Sequence, residues 1–423
     1  MKGLESLGLL KLDFLGLRNL TVIDNALKLL KERGEKVDIE KIPMDDPKVY
    51  KMFAKGLTIG VFQFESSGMR EFLKKLKPTV LEDLIAMNAL YRPGPMDNID
   101  DFISRKHGKK KIKYTHPAME SILNETYGII VYQEQVMQIA HEIAGFTLAE
   151  ADIMRRAMGK KDKKSMDELK VKFIDGALEK HDISKKKGEE IYELIEKFAE
   201  YGFNKSHSTA YAYVAYRTAW LKTHYPAEFM SANLTSEMSN IDRVVILINE
   251  CRKLKIDVDP PDVNISGTNF RPVDNKTISF GLNAIKNVGS KALDQIVEAR
   301  GKHGKFESLF DFTANVSLKS VNRKVLESMN MAGALDGLEG NRAQKYAVIE
   351  TALKYGQTIQ ENKARNQVDL FGASSANGQD ISMVPSLPQA EEWSESQLLE
   401  NEKEVLGMYL SGHPLLKYAE DLE

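Results

Sequence analysis

The sequence predicts a mainly helical, multidomain protein with a small β contribution. Three observations lead there. From Pro43 to about Cys251, apolar residues recur at the three- and four-residue spacing of amphipathic helices, interrupted by short turns at Pro78, Arg92-Pro93-Gly94-Pro95 and Tyr225-Pro226. The 423 residues, 42% of them apolar, exceed what one compact core usually needs, and about two to four domains are expected. Charge is segregated: the formal total of -2 hides 57 basic and 50 acidic side chains over residues 1–365, against nine acidic and two basic from Gln389 to Glu423.

Several function classes fall away. No apolar run approaches the roughly 18 to 20 residues that span a bilayer, so no membrane partner is expected. The single Cys251 allows no internal disulfide and no thiolate cage, and Met1-Lys2-Gly3-Leu4-Glu5 opens no signal peptide. A cytoplasmic protein is the expectation. The eight histidines show neither H-E-x-x-H nor H-x-H spacing, which leaves zinc chemistry unsupported.

The first element is a strand over Leu10-Lys11-Leu12-Asp13-Phe14-Leu15, with Leu10, Leu12 and Phe14 on one face and Lys11 and Asp13 on the other. An edge strand shows water such a polar side. A strand-borne carboxylate beside a lysine also suits phosphoryl transfer, in which Asp13 helps hold divalent metal and Lys11 meets triphosphate oxygens. One aspartate cannot hold two metals, so further carboxylates are required.

Next comes the run from Ser104 to Lys113, with six cations and no acid, and then Tyr127 to Tyr132, which reads as a buried strand leading into a helix from Gln133. Thr147-Leu148-Ala149-Glu150 fits a capping box. Leu148, Ala151, Met154 and Met158 form the buried face of its helix, and Gly159 is the expected stop. Arg155 and Arg156 stand in the last turn, where they complement the helix dipole or hold a polyphosphate. Two adjacent arginines are not expected to point the same way, and Lys160-Lys161-Asp162-Lys163-Lys164 extends the cationic field.

The segment Gly202 to Ser208 opens another helix, with Asn204 or Ser206 as cap and Lys205 and His207 in its first turn, where free amides attract anions. A break follows at Asp259-Pro260-Pro261-Asp262. Beyond it, Leu282 to Ala292 reads as a helix, a tight glycine-containing hairpin and a second helix from near Ser290. Lys286, Gly289 and Lys291 lie where such a motif holds a DNA phosphate without reading sequence. A weaker second copy is expected over Val325 to Asn341. Gln367-Val368-Asp369-Leu370-Phe371 precedes a small, polar linker from Gly372 to Pro388.

Six motifs then line up in one order: Lys11 to Leu17, Phe62 to Met69, Tyr91 to Pro95, Tyr127 to Gln135, Arg155 to Lys161 and Phe203 to Ser208. Along its whole length the chain resembles the alpha subunit of bacterial DNA polymerase III, the C-family replicative polymerase. The resemblance implies template-directed 5'-3' DNA synthesis by two-metal nucleotidyl transfer in the intact protein. It gives Asp13 the role of a catalytic, Mg2+-binding carboxylate of the palm, and gives Lys11, Arg155 and Arg156 contacts to the incoming deoxynucleoside triphosphate. It also implies primer-template DNA along Lys205, His207 and the hairpin, and a sliding clamp bound through Gln367, Leu370 and Phe371. Other holoenzyme subunits, including the clamp loader, are further expected partners.

The corresponding division is a palm remnant at 1–20, fingers at 21–258, the fingers end and helix-hairpin-helix region at 259–365, the clamp motif and linker at 366–390, and an acidic segment at 391–423. The family's segment with two more catalytic aspartates is not found here, so the expectation is a piece that does not polymerise alone. The alternative is a non-enzymatic DNA-binding and clamp-binding module, which leaves Lys11 and Asp13 without a purpose.

Overall fold

The computed structural model describes residues 4, 6–10, 12, 14–160, 163–199, 202–364 and 384–415. With 61% helix and one small sheet among the described residues, the protein is mainly α, as the periodicity requires. It divides into two compact units, Asp38–His224 and Met1–Val37 with Tyr225–Glu423.

In the unit of residues 38–224, polar caps fix where helices begin. Asp46 accepts from the Lys48 amide to start helix Pro47–Ala54, whose proline occupies a position with no intrahelical donor to lose. Ser66 caps Ser67–Leu76 through the Met69 amide. These helices and Leu81–Leu90 gather around the long helix Lys205–His224, where Phe53, Phe64, Leu73, Leu84 and Tyr216 are buried. Each such side chain contributes about 1.5 to 3 kcal/mol by leaving water.

A second core forms where Gln133–Ala144, Leu148–Lys160, Lys163–His181 and Lys185–Ala199 pack through Ile139, Phe146, Met154, Phe173 and Ile191. Gly176 is required there. A Cβ on it would stand 2.1 Å from the Ala144 carbonyl oxygen, so only glycine lets the two backbones approach this closely.

The capping box is present, with the Thr147 amide donating to Glu150 at 2.9 Å and the Glu150 amide to the Thr147 hydroxyl at 3.3 Å. Ala151, Met154 and Met158 are buried as expected. Leu148 is 66% exposed, because the first turn projects beyond the core, and the helix continues through Gly159 to Lys160.

Two expected strands are corrected. Leu10, Leu12 and Phe14 are exposed and lie outside any strand, while Lys11 and Asp13 fall outside the described residues. Alternation alone cannot hold a strand, since its N–H and C=O groups need a neighbouring strand to pair with. Tyr127 and Gly128 both take left-handed backbone, with φ of 55° and 76°, which turns the chain too sharply for a ladder. Ile129 to Tyr132 are nevertheless buried, and Tyr132 makes an isolated parallel bridge with Phe203.

The other unit begins with helix Arg18–Glu32, packed on Pro226–Ser236, and Arg33 pairs with the buried Glu228. Its sheet has the order β1 (Asp257–Asp259), β3 (Thr277–Ser279), β2 (Arg271–Pro272), with Val258 and Pro272 both registered on Ile278. The first pairing is parallel and the second antiparallel. The β content thus lies here rather than at 10–15, and β1 stops where Pro260 and Pro261 remove the next backbone donors.

Helices Ser290–His303, Leu309–Asn315, Arg323–Met331, Arg342–Ala347, Ile349–Ala364 and Glu395–Leu406 complete the unit. The extended segment before the last of these is stitched to Arg342–Ala347. The Gln344 side-chain amide donates to the Pro388 carbonyl at 2.8 Å, the Asn341 side-chain amide to that of Ala390 at 3.0 Å, and the Arg342 backbone N–H to Glu392 at 2.9 Å.

Candidate nucleic-acid interface

In the unit of residues 38–224, the isolated bridge assembles a cationic cluster from three distant stretches. The Gln133 amide donates to the Phe203 carbonyl at 3.0 Å, and the Gln133 side chain donates to the Gly202 carbonyl at 2.8 Å. Asn204 then caps helix Lys205–His224 by accepting from the His207 amide at 2.8 Å, as its position in the sequence suggests. The anion expected at this helix start is supplied by the protein. Glu134 accepts from the Lys205 amide and the Asn204 side chain, each at 2.9 Å, while the Lys205 ammonium lies 2.8 Å from both oxygens of Glu125.

Aromatic rings complete the cluster. The Arg92 guanidinium sits 4.5 Å from the Phe203 ring centre, and Lys205 lies 5.4 Å from that of Tyr132. His207 is exposed, with its ring 4.3 Å from that of Tyr211.

Arg155 joins the same cluster, its guanidinium donating to the Gln133 side-chain oxygen at 3.3 Å. Arg155 and Arg156 do point to one place, contrary to the expectation. Arg155 Nε and Nη2 lie 3.0 and 2.8 Å from one oxygen of Asp152, and Arg156 Nε lies 2.8 Å from the other. Asp152 is three residues before one arginine and four before the other, and both spacings return to the same helix face. The hydrogen bonds from Arg156, then Arg155, hold its carboxyl below the usual carboxylate range. Two guanidiniums on one carboxylate keep one positive charge in excess, already oriented. Gln133 and Arg92 were not singled out from sequence, although both stand inside motifs that carried the resemblance.

The basic run at 104–113 is partly structural. Lys106 lies 2.7 Å from Asp83, and both side chains are largely buried. Arg105 donates to the Tyr127 carbonyl at 3.0 Å, and Lys110 pairs with Asp101. Lys109, Lys111 and Lys113 remain exposed.

In the other unit, the expected first hairpin helix is reduced to a single 3-10 turn, Leu282–Ala284, since Ile285 has already returned to extended backbone. The second helix, Ser290–His303, is where it was expected. The left-handed turn residue is Asn287, with φ of 68°, rather than Gly289. Its side chain donates to the Ser328 hydroxyl at 3.0 Å. Ile285 and Val288 anchor the turn while Lys286, Gly289 and Lys291 are exposed, and a Cβ on Gly289 would meet nothing within 4 Å. Open space above a glycine beside exposed lysines and a helix N-terminus suits close approach of a phosphate. The second copy is a helix, turn and helix, Arg323–Met331 and Arg342–Ala347, with φ of 81° at Gly333 and 87° at Gly340.

Residues 19–181 match the family model of the bacterial DNA polymerase III alpha subunit finger domain, and residues 255–345 match that of a helix-hairpin-helix motif. The sequence is 45% identical over 98% of its length to the DNA polymerase III subunit alpha of Caulobacter vibrioides. It is 46% identical over 99% to that of Vibrio cholerae, and 44% identical over 99% to that of Escherichia coli K12. The chain belongs to the bacterial DNA polymerase III alpha subunit family. It spans a little over a third of those relatives, 36% of the Caulobacter protein and 37% of the other two.

Arg155, Arg156, Gln133 and Arg92 all lie within the stretch that matches the alpha-subunit finger model, and Lys286, Gly289 and Lys291 within the hairpin match. Gln367, Leu370 and Phe371 lie outside the described residues. A pair of Mg2+ ions needs several converging carboxylates. Among the described residues no three His, Cys, Asp or Glu side chains converge in that way, so these residues do not fit such a pair by themselves. No described helix is long and apolar enough to cross a membrane.

Proposed function

We propose that this chain supplies the fingers and the DNA-tracking region of a replicative DNA polymerase whose intact form carries out template-directed 5'-3' synthesis. The observation that carries the reading is the convergence of Arg155, Arg156, Arg92 and Lys205 around Gln133 and Phe203. Arg155 and Arg156 would turn from Asp152 toward triphosphate oxygens, exchanging one carboxylate for a more highly charged anion. Lys205 and His207 would lie along the primer-template, and the exposed hairpin with Lys286, Gly289 and Lys291 would hold one phosphate of the duplex.

Lys11 would meet the triphosphate and Asp13 would complete a metal site with the two further aspartates of the palm, so this stretch alone would not polymerise. Gln367, Leu370 and Phe371 would bind the sliding clamp, raising the effective concentration of primer ends rather than tightening each DNA contact. The test is Asp13→Asn in a full-length protein, which should lose primer extension while keeping DNA binding. Normal extension by that variant would remove Asp13 from the catalytic site.

A further inference from the structure

A cavity of about 480 Å³ lies beside the hairpin, and nothing above gives it a role. Its walls come from stretches far apart in sequence: Asn287 of the hairpin, Lys324 and Ser328 of helix Arg323–Met331, Tyr346, Trp393, and helix Glu395–Leu406. The backbone connects cavity and hairpin directly, since the Lys286 amide donates to the Val405 carbonyl at 2.9 Å and Asn287 is bonded to Ser328.

Its aromatic wall is held in place. Glu392 accepts from the Arg342, Ala343 and Trp393 amides at 2.9, 3.1 and 2.8 Å, which sets the neighbouring indole against Tyr346, with ring centres 5.4 Å apart and planes at 64°. Tyr346 remains 38% exposed and Trp393 half-buried, so ring surface is still open to a third flat group.

The polar wall is specific in chemistry. The Gln397 side-chain amide donates to the Asn401 oxygen at 3.0 Å, which leaves the Gln397 oxygen free to accept. Asn401 is 8% exposed, and its own amide nitrogen has no hydrogen-bond partner among the described residues although it lines the cavity. Glu404 adds a second acceptor and Lys324, exposed and without an ion-pair partner among the described residues, stands at the rim. An amide donor and two acceptors beside open aromatic ring surface suit the edge and face of an unpaired base.

The geometry points to a subsite for one unpaired base of single-stranded DNA, stacked at Tyr346 and Trp393 while the hairpin holds the adjoining backbone. This assignment rests on the DNA-binding reading of the hairpin. That reading alone calls for backbone contacts and no base.

The experiment titrates the full chain, carrying Trp220→Phe so that Trp393 is the one indole, with short oligodeoxycytidylate, oligodeoxythymidylate, blunt duplex and dCMP at one salt concentration. Oligodeoxycytidylate and oligodeoxythymidylate should both quench Trp393. Trp393→Ala should lower single-strand affinity about 10-fold, as expected for loss of one stacked base, Trp393→Phe should retain most of it, and blunt duplex should bind both variants alike. Gln397→Ala, at an exposed position, should weaken single-strand binding and leave duplex binding unchanged. If Trp393→Ala and Gln397→Ala leave single-strand affinity unchanged while Lys286→Ala and Lys291→Ala weaken duplex binding, the subsite is wrong and the hairpin reading stands. If the lysine variants are silent on duplex as well, the hairpin reading itself fails. Binding of dCMP as tight as that of the oligonucleotide would overturn the assignment to a strand in favour of free nucleotide.

Discussion

Arg155 reaches Gln133 across 22 residues of sequence, with its guanidinium 3.3 Å from the side-chain oxygen, while the same glutamine holds the Gly202 carbonyl. One neutral side chain therefore sets the position of an arginine and of the turn before Lys205 together. Gln133→Ala in a full-length polymerase should raise the KM for deoxynucleoside triphosphates several-fold and leave kcat nearly unchanged. Arg155→Ala and Arg156→Ala should each cost about 10- to 100-fold in kcat/KM, the range of a charge-assisted hydrogen bond of about 1.5 to 3 kcal/mol. Unaltered KM values in steady-state incorporation would remove the cluster from nucleotide binding.

Lys286 and Lys291 stand exposed at the hairpin that is proposed to hold a backbone phosphate. Replacing either with alanine should weaken duplex binding equally across sequences and reduce the slope of log K against log salt by about 1. A change that depended on DNA sequence would contradict phosphate contact.

Lys106 and Asp83 form an ion pair with side chains only 9% and 2% exposed. Lys106→Met should destabilise the protein by about 3 to 5 kcal/mol, because Asp83 would stay buried with only the Thr79 and Val80 groups as partners. Urea unfolding provides the measurement, and a wild-type midpoint would mean that the pair contributes nothing.

Glu150 caps its helix while accepting from Lys172, and that bond, followed by those from Thr147, lowers its carboxyl to about 2. The folded value lies below the usual 4.5, so the stabilisation is complete above about pH 4.5 and disappears as pH falls toward 2. Carboxyl NMR should show a midpoint near 2 in the wild type and a rise toward 4.5 in Lys172→Ala.

Leu370→Ala with Phe371→Ala should abolish retention of the chain on an immobilised sliding clamp. Two large apolar groups at a pocket carry most of the energy of such a short peptide. Full retention would reassign the segment.

Local chemistry was legible in the sequence where it depended on neighbours a few residues apart. The Thr147–Glu150 box and the Asn204 cap needed only side chains that reach their own helix turn, and the start at Ser290 follows directly on Gly289. Long-range pairing was not. The alternation over residues 10–15 states which side would be buried and says nothing of a partner strand, and the turn at Tyr127 and Gly128 follows from backbone conformations that an apolar run conceals. The shared Asp152 lies one turn behind both arginines, and sequence spacing alone does not say that both guanidiniums fold back onto it. The cavity beside the hairpin depends on four stretches that fold together from more than a hundred residues of chain.

The stitches from Arg342–Ala347 to Pro388, Ala390 and Glu392 also bear on mechanics. Helix Ile349–Ala364 holds the chain on one side of residues 365–383, and these hydrogen bonds hold it on the other. Anything gripping that stretch pulls on two moorings rather than on one free tail. Gripped at Gln367 to Phe371, as proposed, the chain would have an arm of about 10 Å back to Ala364 and one of about 60 Å on to Pro388 at full contour length, so the grip would sit close to the first mooring.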